Sequence, residues 1–172
     1  MAGKGVKSLK RWVKRAVDLG ADEAKVVNTR SVVTAPWVRY KCQFGCGGWG
    51  RRLTCPPFSP SPEETRKLLN SYRRALLVHC TKKWQDVKTV VSELEKEMFL
   101  AGFYKVFALG SGPCNVCEKC NLKFCAHPGR ARPAMEACGI DVFATVRGNG
   151  LPIEVVRDHS CPTNYYGLVL TE

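Results

Sequence analysis

Ten cysteines stand in a chain of 172 residues, and seven of them fall into two short stretches. Cys114, Cys117, Cys120 and Cys125 make up the run GPCNVCEKCNLKFCAHP. Thiolates spaced two residues apart on a turning backbone converge on one soft metal centre. C-x2-C-x2-C is the loop that wraps three sulfurs round an iron–sulfur cluster, and a further cysteine with a nearby proline closes the pattern. Zinc ribbons separate two C-x2-C knuckles by a longer segment, so this spacing favours iron–sulfur over zinc. Disulfides, or thiols buried as small apolar groups, are the alternatives to metal.

The second stretch, Val38 to Pro57, reads VRYKCQFGCGGWGRRLTCPP and contributes Cys42, Cys46 and Cys55. Gly45, Gly47, Gly48 and Gly50 let the backbone fold tightly there, and Pro56-Pro57 stiffens the exit. Two cubane clusters need eight ligands, and these two stretches supply seven. Cys125 either completes the Cys114/Cys117/Cys120 set or crosses to Cys42/Cys46/Cys55, as the last cysteine of such a run does in two-cluster ferredoxins. One cluster then keeps three loop cysteines, and its fourth position falls to Cys80, Cys138, Cys161, His127 or a non-protein ligand. His127 is equally placed to donate a hydrogen bond to cluster sulfur. His79 and His159 belong to no ligand pattern. Cys55 or Cys161 as a catalytic nucleophile lacks a histidine-bearing signature, and no phosphate-binding glycine loop is present.

The elements that must position these loops alternate between helix and strand. Val6, Leu9, Val13, Ala16 and Val17 form an apolar stripe on a helix from Val6 to Leu19, with Lys4, Lys7, Lys10, Arg11, Lys14 and Arg15 on the other face. Ala24 to Thr34 should contain strand. Ser61-Pro62-Glu63-Glu64 starts a helix to about Ser71, with Ser61 as N-cap and Pro62 at the first position. A buried strand Ala75–His79, a helix Asp86–Ala101 and a strand Tyr104–Leu109 lead into the cysteine run. Then come a short helix from Arg132 ended by Gly139, a strand Asp141–Val146, a turn at Gly148-Asn149-Gly150, and strands Ile153–Val156 and Tyr166–Leu170. The fold class expected is α/β or α+β: one domain over residues 1–172, with a mixed central sheet, packed helices and two cysteine-rich cluster-binding loops.

Hydrophobic content of 45% and charged content of 24% are ordinary for a globular chain. No apolar run reaches the roughly 18 residues of a membrane span, and the N-terminus lacks a secretory pattern. Cytoplasmic location follows as the expectation, with thiols kept reduced and metal thiolates persistent. The net charge of +12 favours an anionic partner: an acidic redox protein or, more weakly, a nucleic acid.

With these residues in view, the chain resembles a prokaryotic family of predicted metal-binding proteins of unknown function. The resemblance is carried by YKCQFGCGGWGRRLTCPPFSP, RKLLNSYRRALLVH, GPCNVCEKC with CAHPGRARPAMEACGIDVFATV, and the closing NYYGLVL. It implies that Cys42, Cys46, Cys55, Cys114, Cys117, Cys120 and Cys125 are the metal-site cysteines, leaves Cys80, Cys138 and Cys161 outside the pattern, and includes Arg132–Asp141 without giving that segment a role. Three functions compete. The first is an iron–sulfur protein with one or two [4Fe–4S] clusters passing electrons to an acidic or larger redox partner. The second is an enzyme doing sulfur chemistry at an open three-cysteine cluster. The third is a zinc-stabilised module binding protein or nucleic acid.

Overall fold

Strand β2 (Arg74–Cys80) is buried from Ala75 onward, and the sheet is built around it. The run ALLVHC has little alternation because both its faces are covered, as in a central strand. It pairs antiparallel with β1 (Glu23–Asn28) on one side and with β4 (Tyr165–Leu170) on the other; β4 in turn pairs antiparallel with β3 (Phe107–Leu109). The order is β1-β2-β4-β3. The computed structural model describes residues 3–158 and 160–172; His159 and the side chains of Lys4, Val6 and Lys7 lie outside the described residues.

Helix α4 (Trp84–Leu100) carries the chain from β2 to β3, with β4 inserted between those two parallel-running strands, so the core unit is a split β-α-β. α4 packs on the sheet face that shows Leu76, Val78, Ala108 and Val169, through Val87, Val91, Leu94 and Met98. Helix α1 (Gly3–Asp18) shares that face through Leu9, Trp12 and Ala16. On the other face Ala75, Leu77, Leu168 and Leu170 meet Leu69, Met135, Ile140, Val142 and Val146. The α4 contact requires glycine at position 167, since a Cβ there would stand 2.6 Å from Val87 Cγ1 and 2.8 Å from Val91 Cγ1.

The class is therefore α+β, as the element pattern implied. Every hydrogen-bonded pairing of named strands is antiparallel; the parallel pairing is one isolated bridge from Gly110 to Ala134. Helix α3 (Pro62–Asn70) begins as read, with a full capping box: Glu64 N–H donates to the Ser61 hydroxyl and Ser61 N–H to the Glu64 carboxylate.

Several elements differ. The stretch from Val38 is helical at its start: α2 (Pro36–Gly45) opens with Pro36 in its first turn and carries Cys42. Asp141–Val146 is no strand; Asp141 caps helix α5 (Val142–Gly148) by accepting from Ala144 N–H at 2.9 Å. Its β-branched residues serve helical packing instead, with Val142, Thr145 and Val146 turned inward. Ile153–Val156 has no strand partner, and only its first residue is buried. In α1 the inward stripe runs through Trp12, while Val17 is exposed. Among the described residues no helix is long and apolar enough to cross a membrane.

Candidate metal centre

Cys42 rides on α2, Cys46 caps its end in an extended conformation, and Cys55 lies in the turns that follow. Those turns close on themselves: Gly50, with φ +67, donates its N–H to Pro56 O at 2.8 Å, and Ser59 N–H returns to Cys55 O at 3.2 Å. Gly48 lies just before this closure, and Arg51 N–H donates to its carbonyl at 3.2 Å. A Cβ at Gly48 would touch Cys46 Sγ at 3.5 Å and Cys55 Sγ at 3.6 Å, so both sulfurs lie against the same glycine. Gly48 N–H already donates to Cys46 Sγ at 3.4 Å, the contact that stabilises a thiolate. Burial pushes the Cys42 thiol upward, and the fields of Cys46, Glu136 and Cys55 add to this against Arg39. Cys55, 8% exposed, is raised chiefly by burial too, with Cys46 adding to the rise. The three thiols of the first loop are thus electrostatic neighbours.

The second loop leaves β3 through Gly110-Ser111-Gly112. Cys114, Cys117, Cys120 and Cys125 all line one small cavity of about 20 Å³, together with His127 and with Arg52, Leu53 and Thr54 of the first loop. Cys46 and Cys120 border a second hollow of about 580 Å³ between the loops. The two cysteine stretches, some sixty residues apart in sequence, therefore abut. Among the described residues no three His, Cys, Asp or Glu side chains close onto a single coordination point. The donors line shared hollows without being drawn to bonding distance.

The scaffold beneath the loops is the segment whose role the sequence left open. Arg39 of α2 reaches across to donate to Ser59 O, Pro60 O and Ala137 O at 3.0–3.2 Å, and the Ser59 hydroxyl donates to the same Ala137 carbonyl at 2.5 Å. Ala35 N–H donates to Gly139 O, which fixes the start of α2. The same segment also binds the root of the second loop: Gly110 N–H donates to Pro133 O at 2.8 Å and Met135 N–H to Gly110 O at 3.0 Å. Just upstream, Arg132 forms a two-pronged pair with Glu95 of α4 (2.5 and 2.9 Å) and also donates to Pro128 O, clamping the exit from Cys125. Residues 132–141 are a common footing for both loops.

Between the loops lies Lys88 of α4, 6% exposed, a cation that sequence reasoning did not single out. Its ammonium donates to Pro113 O and sits 4.7 Å from the Trp84 ring centroid. Burial lowers its pKa to about 8, while the fields of Cys114 and Cys55 work the other way. No carboxylate pairs with it among the described salt bridges. Its only signal in the sequence is a lysine on the apolar face of α4, between Val87 and Val91.

The remaining sulfurs stand apart in different ways. Cys80 is sealed under α1 and α4, its thiol raised to about 11 by burial, with Asp22 and Asp86 as its acidic neighbours. Cys161 lies against Asp158 (3.7 Å). Cys138 is in the opposite core layer, raised to about 12 by burial, but within the field of Cys42. His79 is a satisfied core residue, hydrogen-bonded to Asn164 at 2.8 Å and stacked on Tyr166.

A family model spans residues 25–171, from β1 to the end of β4, taking in both loops and their footing. The chain belongs to the family described as predicted metal-binding protein (DUF2284). No curated protein and no solved structure matches the chain. The donor chemistry suits the family's description. Four thiols round one hollow, with Cys46 and Cys55 meeting at Gly48 and Cys42 their electrostatic neighbour, make a sulfur-rich set of the kind that takes soft or borderline metals.

Proposed function

We propose that this chain is an iron–sulfur protein in which Cys114, Cys117, Cys120 and Cys125 hold one [4Fe–4S] cluster and Cys42, Cys46 and Cys55 hold a second, and that it passes electrons to an acidic redox partner. The observation that carries this reading is the meeting of the two cysteine stretches: four thiols line one hollow, and Cys46 and Cys120 share the hollow between the loops. When bound, a cluster supplies reversible one-electron chemistry whose potential follows its charge, hydrogen bonds and exposure. The chain's own groups tune each of these. Gly48 N–H points at Cys46 Sγ, His127 borders the four-cysteine hollow, and the ammonium of Lys88 offsets thiolate charge between the loops. The place of Cys125 on the second loop's hollow supports counting it with that loop's own set. For docking, α2 exposes Trp37, Tyr40 and Phe44 beside Lys41, an aromatic and basic surface next to the first loop.

A second reading has one observation in its favour. Four thiols line a single hollow, which is the full ligand count of a tetrahedral structural zinc site. Four thiolates round one Zn²⁺ are a structural site, and the chain would then be a zinc-stabilised binding module. Anaerobic purification with an absorption spectrum and iron, sulfide and zinc counts separates the two. Brown protein with a broad band near ~400 nm and matching iron and sulfide is the expected result. Colourless protein with stoichiometric zinc establishes the second reading, and protein holding neither metal after anaerobic reconstitution refutes both.

A further inference from the structure

Beside the cysteine loops, and larger than either of their hollows, is a groove of about 880 Å³. One wall is the outer side of α4 from Gln85 to Leu100, roughly four helical turns. The other wall comes from both ends of the second loop. Asn115 and Val116 enter it between Cys114 and Cys117, and Gly129, Arg130 and Arg132 enter it after Cys125. A concave site of this size is on the scale of clefts that take small organic ligands.

The lining is unbalanced in two respects. Lys88, Lys96, Arg130 and Arg132 border the groove against two carboxylates, Glu93 and Glu95. Both carboxylates are engaged, Glu95 by Arg132 through two bonds and Glu93 by Lys96 at 3.8 Å. Lys88 and Arg130 are left without a carboxylate among the described salt bridges. Lys88 is nearly buried and gives one of its three donors to Pro113 O. The second imbalance is apolar. Phe99 and Leu100 are 58% and 77% exposed where α4 ends, and Val106 and Val116 extend the same lining. Uncompensated cations beside exposed apolar side chains in one concavity suit an anion with an apolar body. Glu93 and Glu95 repel a multiply charged phosphate more than a single carboxylate. We propose that the groove binds a small monocarboxylate with an apolar body, its acid group met by Arg130 and Lys88 and its body laid against Phe99 and Leu100. Such a ligand lies against the loop segment between Cys114 and Cys117. The assignment goes beyond the cluster reading and does not depend on which metal the second loop holds.

Isothermal titration calorimetry of the full chain, purified anaerobically with its metal counted, tests this with octanoate as the probe. Octanoate should bind at least about tenfold more tightly than octanol, which lacks the charge, and than inorganic phosphate, which lacks the apolar body. Arg130→Gln and Phe99→Ser change exposed positions, and each should weaken octanoate binding at least about threefold with metal content unchanged. Lys67→Gln, the same loss of charge on exposed α3 surface, should leave binding as it was. A parent that binds no octanoate overturns the assignment, as does phosphate or octanol binding as well as octanoate. Equal weakening by Lys67→Gln overturns it too, since net charge alone would then account for the effect, and so does octanoate binding untouched by both groove variants. Octanoate bound in this pattern by protein that holds no iron supports the groove assignment while removing the cluster reading.

Discussion

Removing the Glu95 carboxylate should both destabilise the fold and loosen the second cysteine loop. Glu95 meets Arg132 through two bonds of 2.5 and 2.9 Å, with side-chain exposures of 12% and 16%, and also accepts from Ala108 N–H in β3. Glu95→Ala leaves a nearly buried guanidinium without a counter-charge. Breaking a buried pair costs about 3–5 kcal/mol, and residual solvent contact puts this one near the lower end, about 3 kcal/mol. That is roughly a hundredfold in the folded-to-unfolded ratio, and about 6–12 °C in melting temperature for a chain of this size. Urea unfolding of the metal-free protein measures it directly, as a lower midpoint with unchanged slope. The control is Glu97→Ala. Glu97 makes the same two-pronged contact with Arg15, at 2.8 and 2.6 Å, but at 41% and 32% exposure, so its loss should cost under about 1 kcal/mol. Glu95→Leu with Arg132→Met should recover much of the loss, since apolar replacement removes both desolvation costs. Equal destabilisation by Glu95→Ala and Glu97→Ala would refute the argument that burial, not geometry, sets the worth of these pairs.

Cys117→Ala should remove the metal of the four-cysteine hollow and lower the melting temperature of the loaded protein, because ligand-binding energy is also folding energy; unchanged metal content would contradict this. Gly167→Ala should destabilise by about 1–3 kcal/mol, since its Cβ would press on Val87 and Val91 and stand 3.0 Å from Leu109 O; an unaltered urea midpoint would show that α4 can retreat. Stability should also fall in acid. Asp22 is held below the usual carboxylate range first by Thr81 N–H and then by the Thr81 hydroxyl, Glu64 first by Ser61 N–H, and Glu97 first by the Arg15 guanidinium. Each is lower in the folded than in the unfolded chain, so its contribution is complete above about pH 5 and is lost as pH drops through the folded values. Urea midpoints between pH 7 and 3 should show this, and Asp22→Asn should flatten the acid limb; an identical limb in that variant would remove Asp22 from the account.

The elements legible in the sequence are those whose local chemistry and tertiary role agree. Ser61-Pro62 reads as a helix start because its capping box needs only residues within one turn. The apolar run of β2 reads as a buried strand because a core layer covers each of its faces. The misreadings have the opposite character. Residues 36–45 hold a proline, glycine and cysteine, and their loop-like composition hid a helix that Pro36 in its first turn announces. In DVFATV the β-branched residues outweighed the Asp141 cap, although Val142 and Val146 lie four apart on one buried side.

The proposed metal site divides in the same way. Its thiols are visible in sequence because ligand spacing is a local property of a loop. The groups that bring the two loops together are not. Arg39, Lys88 and Arg132 each act across the fold on a partner remote in sequence, and none has a spacing that marks it. What they share is burial of charge. Lys88 goes furthest: it is carried into the interior between the loops, and no carboxylate pairs with it among the described salt bridges. A buried cation is costly unless an anion or an acceptor is held beside it. With Cys114 and Cys55 acting on it, Lys88 is therefore where thiolates holding a metal would complete what the metal-free fold leaves uncompensated.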